Sequence, residues 1–302
     1  MRAFMKMIYR YSHARSYRHN ENLWPDVKIV RATNQEICKV FYKKKPISII
    51  PLSEWKDSCH GNVLLTATGP SVNNVLFECV PDMPAIGVNG AYFLHQKVDF
   101  RFYVIVDMGF IDQRSHIVLD IIQQTGLTLF TTVHGMVRII DRFGRDSIKC
   151  RLSIIEDAAY KIYRPKIDDT ALWEHYHNDH CVDFSADRKT IAFSRDIRSG
   201  IFDAGTVVYW TLQIIAFLGF KQLFIVGLDM NNFHLPRFYE TEQNKQPTCL
   251  PEKMGSTVIP AFKHASIIMK KNHISITNLS LNSAIDSNIF EKVDYHDYFK
   301  KV

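Results

Sequence analysis

The chain of 302 residues is 46% hydrophobic and 23% charged, with a formal net charge of +6. These values predict a globular protein with a full core and exclude a disordered or collagen-like chain. No apolar run approaches the ~20 residues needed to span a bilayer, and the first residues lack the apolar stretch of a secretion signal. Six cysteines are scattered without a CxxC pair, which predicts reduced thiols and a cytoplasmic location.

Positive charge is concentrated in the first 45 residues. They hold eleven Lys/Arg and three Asp/Glu, a net of +8, so the remaining residues carry a net of −2. Apolar side chains such as Phe4, Met7 and Tyr11 are interleaved with these bases. Such a segment suits an anionic membrane surface, whereas the slightly acidic remainder shows no basic groove for nucleic acid. We expect residues 1–45 to dock on the inner face of the cytoplasmic membrane; a solvated basic tail is the alternative.

An edge element follows the arm. Apolar segments at 37–42 and 47–50 flank Lys43-Lys44-Lys45-Pro46, a pattern that predicts a β-hairpin. We therefore assign residues 1–60 to a basic N-terminal arm with an edge hairpin, and residues 61–302 to one larger domain.

The larger domain shows strands alternating with helices. Strands are expected at 63–68, 85–88, 100–106, 127–133, 223–226 and 274–279. Helices are expected from Ser71 onward and at 111–124, 207–218 and 260–272. Residues 135–200 show little periodicity, and residues 241–258 are expected to form a flexible excursion. The alternation predicts an α/β fold, a Rossmann-like, mostly parallel sheet with helices on both faces.

The turn after the first of these strands is expected to face a ligand. Thr68-Gly69-Pro70-Ser71 follows a buried strand and precedes a helix. Backbone N–H groups at such a turn suit an anionic group, and open α/β sheets bind ligands beyond the carboxyl ends of their strands. The segment matches neither the GxGxxG spacing of dinucleotide-binding folds nor a Walker loop. An ordinary strand-to-helix turn without a ligand is the alternative.

One stretch, His175-Tyr176-His177-Asn178-Asp179-His180, spells the HxHxDH pattern of the metallo-β-lactamase-fold hydrolases. In that fold the motif follows an apolar strand, so that its imidazoles converge on zinc. Here it follows Asp169-Thr170-Ala171-Leu172-Trp173-Glu174, which is not a buried strand. We therefore expect a polar surface loop in place of a zinc site.

Four segments, taken in order, carry a resemblance to known families. They are the strand leading to Gly69-Pro70-Ser71, the strand that ends at Asn89, the helix–strand run through Gly219 to Asp229, and the closing segment 276–283. Over residues 61–285 this arrangement resembles the small bacterial sialyltransferases that use CMP-sialic acid. It equally resembles proteins similar to hydroxymethylpterin pyrophosphokinase.

The segment from Gly227 to Glu240, with the basic arm, is most similar to the lipopolysaccharide inner-core transferases that add an extra Kdo (3-deoxy-manno-octulosonate) residue. That resemblance implies a GT-A-variant glycosyltransferase that transfers Kdo from its CMP ester to the lipopolysaccharide inner core with inversion. Kdo and sialic acid are both 2-keto sugar acids activated as CMP esters, so one donor-site architecture suits both. A CMP-sialic acid-type sialyltransferase is therefore an alternative.

The resemblance also implies donor contacts. Thr68 stands where the sialyltransferases have asparagine, and Asn89 matches a donor-contacting asparagine. The single phosphate of a leaving CMP is suited to an arginine or a helix N-terminus and demands no metal. With such phosphate-binding candidates included, the predicted donor site comprises Thr68, Gly69, Pro70, Ser71, Asn89, Arg195, Arg198, Gly205, Thr206, Gly227, Leu228, Asp229, Asn231, Arg237 and Tyr239.

The catalytic base departs from the sialyltransferase pattern. The histidine that precedes the penultimate helix in that family has no counterpart near Gly255-Ser256. Attack of a sugar hydroxyl through an oxocarbenium-like state favours a carboxylate or imidazole near the acceptor oxygen. Asp107, at the end of the third strand, and His234, on the loop after Asp229, are the candidates.

Two further functions stay open at this point. A pyrophosphokinase-like nucleotide transferase would need Mg²⁺ and ATP. A glycan- or lipid-binding protein without catalysis is consistent with the missing histidine. The expected partners are a CMP-activated sugar, an anionic lipid-linked glycan and a membrane surface, and not nucleic acid.

Overall fold

The structure is a computed structural model that describes residues 2–299. Met1 of the predicted arm and residues 300–302 of the predicted larger domain lie outside the described residues. The helices are α1 (Arg2–Ser12), α2 (Met108–Gln113), α3 (Ser115–Ile122), α4 (Val133–Phe143), α5 (Leu172–Tyr176), α6 (Val207–Leu218), α7 (Leu250–Lys253), α8 (Ile259–Lys271) and α9 (Tyr295–Phe299). The strands are β1 (Val27–Arg31), β2 (Ile37–Tyr42), β3 (Lys45–Ile47), β4 (Asn62–Thr66), β5 (Ala85–Val88), β6 (Phe100–Ile105), β7 (Thr128–Thr131), β8 (Arg151–Ile154), β9 (Val182–Phe184), β10 (Ala192–Ser194), β11 (Gln222–Val226), β12 (Ser275–Asn278) and β13 (Glu291–Lys292).

Eight strands form one sheet in the order β13-β12-β11-β4-β5-β6-β7-β8, and every neighbouring pair is parallel. The predicted α/β fold with a mostly parallel sheet is confirmed. From β4 the chain adds strands toward β8, whereas β11, β12 and β13 are added on the other side. The strand order therefore reverses between β4 and β11, and open α/β sheets bind ligands beside such a reversal, outside the carboxyl ends of their strands.

Both faces of the sheet are buried, as expected of parallel strands with nearly continuous apolar sequences. Along β4, Val63 and Leu65 pack into a hydrophobic cluster with residues of α6 and α8. Leu64 points to the other face and packs with residues of α3 and α4. The period-two alternation of strand side chains thus divides one apolar run between two cores.

The N-terminal segment packs against the second of these cores. Strands β1, β2 and β3 form an antiparallel sheet, which confirms the predicted hairpin between 37–42 and the following strand. Leu23 and Val40 belong to the same cluster as Leu64, and Arg31 donates to the buried Glu156 carboxylate at 2.5 and 2.7 Å. Much of the arm is therefore folded and is not a solvated tail, while the division at residue 60 stays a prediction.

Two local predictions were wrong. The helix expected from Ser71 is a pair of short 3₁₀ turns, because the Ser71 N–H bonds to the Asp229 carboxylate at 2.8 Å instead of continuing a helix. Residues 135–200, the least readable part of the sequence, contain most of α4 and all of β8. Residues 250–258 of the expected excursion are helical, forming α7 and a π-helical turn.

Candidate functional site

A cleft of about 530 Å³ lies at the carboxyl ends of the central strands. It is lined by residues that follow β4, β5, β6 and β11, by the start of α6, and by residues 245–250 with Lys253. Its position coincides with the reversal of strand order between β4 and β11. A cavity therefore lies where the sequence predicts a ligand site, beyond the carboxyl ends of the strands.

The turns after β4 and β11 are bonded directly to each other. The Asp229 side chain accepts hydrogen bonds from the Ser71 N–H, at 2.8 Å, and from the Ser71 hydroxyl. A Cβ on Gly69 would lie 2.5 Å from the Asp229 carboxylate, so this close approach requires glycine. Ser71 and Asp229 thus hold the two turns together, and of the two only Asp229 lines the cleft.

The closing segment 276–283, which begins in β12, also bonds to these two turns. The Ser280 hydroxyl accepts from the Gly227 N–H at 3.1 Å and lies 2.9 Å from the Ser71 hydroxyl. The Asn278 side-chain amide donates to the Leu228 carbonyl at 3.3 Å. The Ser and Asn residues of 276–283 therefore act as a scaffold for the cleft.

Asn89 enters the cleft at the end of β5. Its backbone has φ +46°, a conformation that asparagine tolerates better than most residues. Its carbonyl oxygen accepts from the Tyr103 hydroxyl at 2.6 Å, which fixes the turn. The buried side-chain oxygen of Asn89 has no hydrogen-bond partner among the described residues. Buried polar atoms are nearly always bonded, so this oxygen is suited to a donor group on a ligand.

Tyr239 packs behind Asn89 and does not line the cleft. Its ring stacks on Phe93 with centroids 5.4 Å apart, and a Cβ on Gly90 would lie 2.1 Å from it. Burial raises the pKa of Tyr239 to about 12, so the phenol is neutral at physiological pH. The structure gives Tyr239 a packing role in place of the predicted phosphate contact.

Asp107 lines the cleft at the carboxyl end of β6. One carboxylate oxygen accepts from the Gly109 N–H at 2.7 Å and caps α2. The other oxygen has no hydrogen-bond partner in the described part of the chain. Asp107 is exposed to solvent, so a carboxylate fixed by a helix cap is presented to the cleft.

The predicted arginines are all paired with carboxylates. Arg195 pairs with Asp183 at 2.7 Å and Arg198 with Asp196 at 2.6 Å, and neither lines the cleft. Arg237 lines the cleft, but its guanidinium lies 2.8 Å from a carboxylate oxygen of Glu240.

The structure brings together most of the predicted donor site. Thr68, Gly69, Pro70, Asn89, Asp107, Gly205, Thr206, Gly227, Leu228, Asp229, Asn231 and Arg237 line the cleft. Outside its lining lie Ser71, Arg195, Arg198, His234 and Tyr239. His234 is exposed, and its backbone carbonyl accepts from the Lys245 ammonium.

Several cleft residues were missed by sequence reasoning. Asp203, whose carboxylate accepts from the Trp210 indole at 2.8 Å, lies just before α6. Lys245 and Lys253 come from the segment expected to be a flexible excursion. Lys245 precedes a short helix and Lys253 ends it, and nothing in the local sequence distinguishes them from solvated surface lysines.

The HxHxDH stretch lies at the end of α5. His177 is exposed and stacks on Trp173 with centroids 4.6 Å apart, while Asp179 accepts from the Cys181 N–H at 2.9 Å. Residues 2–299 contain no group of three His, Cys, Asp or Glu side chains arranged to hold a metal ion. The stretch begins in α5, where Tyr176 is buried, and ends in a turn, so only its later residues match the expected surface loop.

An all-parallel sheet with a cleft at its strand reversal defines an open α/β protein of the kind that binds ligands beyond the carboxyl ends of its strands. Residues 51–296 match the family described as 3-deoxy-D-manno-octulosonic acid transferase WaaZ, and the chain belongs to this family. The resemblance found in the sequence is thereby confirmed. The protein is a glycosyltransferase, and its membership supports Kdo transfer to the lipopolysaccharide core.

Solved structures of a sialyltransferase are also similar to this chain. The sialyltransferase CstII from Campylobacter jejuni, in complex with the substrate analogue cytidine-5′-monophosphate, is 13% identical, with a TM-score of 0.42 and coverage of 78% of this chain and 85% of that one. The sialyltransferase CST-II with trisaccharide acceptor and CMP is 13% identical, with a TM-score of 0.37 and coverage of 76% and 84%. No curated protein sequence matched.

Proposed function

We propose that this enzyme transfers Kdo from its CMP ester to the lipopolysaccharide inner core with inversion, using the cleft beyond the carboxyl ends of β4 and β11. The observation that carries the proposal is the position of the cleft in a member of the Kdo transferase family. The bonded turns at Gly69 and Gly227 would frame the nucleotide. Asn89 would contact the donor through its unpartnered oxygen, which needs a hydroxyl or amine donor.

The proposed reaction is a single displacement. The acceptor hydroxyl oxygen forms a bond to C2 of Kdo while the bond from C2 to the phosphate oxygen breaks. The electron pair of the broken bond stays on CMP, and the hydroxyl proton passes to the Asp107 carboxylate. A carboxylate at this point also offsets the positive charge of an oxocarbenium-like transition state. CMP is a stable leaving group, so we propose that neither a general acid nor a metal is required.

The nucleotide preference provides the first test. We expect the cleft to bind CMP more tightly than AMP or UDP, with or without Mg²⁺, and the enzyme to release CMP from CMP-Kdo in the presence of a lipopolysaccharide acceptor. Isothermal titration calorimetry measures the binding, and chromatography measures the CMP released. A preference for ATP that depends strictly on Mg²⁺ would instead support a pyrophosphokinase-like enzyme. Binding without turnover would support a non-catalytic protein.

We also propose that α1 docks this enzyme on the anionic inner face of the cytoplasmic membrane, where a lipid-linked acceptor is available. Tyr9 is buried and holds the helix against the body of the protein. Phe4, Met7 and Tyr11 are respectively 57%, 48% and 87% exposed, although all three are large and hydrophobic. Their spacing places them on one face of α1. An outward apolar face within a segment of net charge +8 matches an interfacial helix. Among the described residues no helix has the length and apolarity to cross a bilayer.

Replacement of Phe4, Met7 and Tyr11 together by serine is expected to reduce binding to vesicles that contain anionic lipid, while CMP affinity is unchanged. The physical reason is the loss of the apolar area that an interfacial helix buries in the headgroup region. Vesicle co-sedimentation at low salt measures the effect. Ile267→Ser, which alters an equally exposed apolar side chain (47%) on α8, is the control. Equal vesicle binding by the triple variant and the wild type would contradict membrane docking through α1.

A further inference from the structure

A leaving CMP requires positive charge in the cleft, and three cationic side chains among the described residues line it: Arg237, Lys245 and Lys253. Arg237 is already paired with the buried Glu240 carboxylate at 2.8 Å, an oxygen that also lies 3.7 Å from the Arg114 guanidinium. The Lys245 ammonium donates to the backbone carbonyl of His234, which anchors it to the loop. These two groups therefore help to hold the loop after β11 in shape.

Lys253 differs from both. It is the last residue of α7, and within the described chain its ammonium has neither a hydrogen bond nor an ion pair. A Cβ on Gly205 would lie 2.9 Å from Cδ of Lys253 and 3.7 Å from its Nζ. The Lys253 side chain therefore lies against Gly205, in the space that the side chain of any larger residue at position 205 would occupy.

Lys253 reaches the start of α6, in a cleft that the Asp203 carboxylate also lines. Gly205 and Thr206 immediately precede α6, a helix of 12 residues whose first residues, Val207 and Val208, line the cleft. The N-terminus of such a helix carries a partial positive charge of about +0.5. An unpaired ammonium and a helix N-terminus thus lie close together in the cleft. An anion is the ligand that both features favour.

We propose that Lys253 binds the phosphate of the nucleotide and stabilises the charge that develops there during transfer. This inference rests on the proposed function. In the donor the phosphate is a diester with one negative charge. When the bond to C2 of Kdo breaks, the electron pair remains on the phosphate oxygen, and CMP leaves with one additional negative charge. A cation beside that oxygen binds the transition state more tightly than the ground state, which is the requirement for a faster chemical step.

The test compares CMP with cytidine, which lacks the phosphate. Lys253→Ala is expected to weaken CMP binding by roughly 10- to 100-fold, as for loss of a charge-assisted hydrogen bond, and to leave cytidine binding unchanged. Lys253→Arg keeps the positive charge and is expected to retain most of the CMP affinity. Lys253→Ala should also lower kcat with CMP-Kdo more than it raises KM. Lys271→Ala, at an exposed lysine on α8, is the matched control. Because Lys253 is itself exposed, its replacement should not unfold the protein.

The outcomes separate the two proposals. If the wild type binds neither CMP nor cytidine, the proposed function fails, and the assignment of Lys253 fails with it. If the wild type binds CMP and Lys253→Ala weakens CMP and cytidine equally, or weakens neither, only the assignment of Lys253 is overturned. It is also overturned if Lys245→Ala, and not Lys253→Ala, removes the preference for CMP over cytidine.

Discussion

Replacing Asp107 with asparagine is expected to lower turnover of CMP-Kdo by about 10²- to 10⁴-fold while CMP affinity stays nearly constant. Asparagine has the same size, and its side-chain oxygen still accepts from the Gly109 N–H that Asp107 now binds at 2.7 Å. The helix cap is therefore retained, but the proton acceptor and the negative charge are lost. Steady-state measurement of CMP release, together with calorimetric CMP binding, separates a chemical effect from a binding effect.

Two variants serve as controls for Asp107→Asn. Asp120→Asn makes the same change at an exposed position of α3 and should leave turnover unaltered. His234→Ala should have less effect than Asp107→Asn, because His234 lies outside the cleft lining. Near-normal turnover in Asp107→Asn, with loss of turnover in His234→Ala, would show that His234 and not Asp107 is the catalytic base. Loss of folding in Asp107→Asn, measured by circular dichroism, would show that capping α2 is the main role of Asp107.

Replacing Gly69 with alanine is expected to abolish most CMP binding and to lower the free energy of unfolding by about 1–3 kcal/mol, the usual cost of overpacking. The added Cβ would lie 2.5 Å from the Asp229 carboxylate and 2.7 Å from the Gly227 carbonyl oxygen. Backbone oxygen cannot move aside without displacing the turn after β11. Both turns that frame the proposed nucleotide site would therefore shift together. Chemical denaturation and CMP calorimetry measure the two effects.

Gly126→Ala is the matched control for Gly69→Ala, since a Cβ on Gly126 would meet nothing within 4 Å. We expect this control to bind CMP normally and to unfold at nearly the same denaturant concentration as the wild type. If Gly69→Ala also binds CMP normally, the turn after β4 does not frame the nucleotide, and the position of the proposed donor site is wrong.

Local sequence patterns determined the sheet and one wall of the cleft. The apolar run Val63, Leu64, Leu65 followed by Gly69 is enough to predict a buried strand and a tight turn, because strand burial and turn geometry depend on neighbouring residues. The same holds for Asn89 at the end of β5. The ordered set of such motifs also carried the resemblance to Kdo transferases, which the family match to residues 51–296 confirms.

The charges in the cleft could be decided only by the tertiary structure. From the sequence, Arg195, Arg198 and Arg237 were equivalent phosphate-binding candidates, yet each pairs with a carboxylate in the folded protein. Lys253 was overlooked because its segment shows no strong periodicity, although the fold brings it over Gly205, which lies 48 residues away in the chain. A sequence pattern indicates which side chains can carry a charge and where the backbone forms a turn. Whether a charge is neutralised or left free for a ligand depends on which distant residues the fold places beside it.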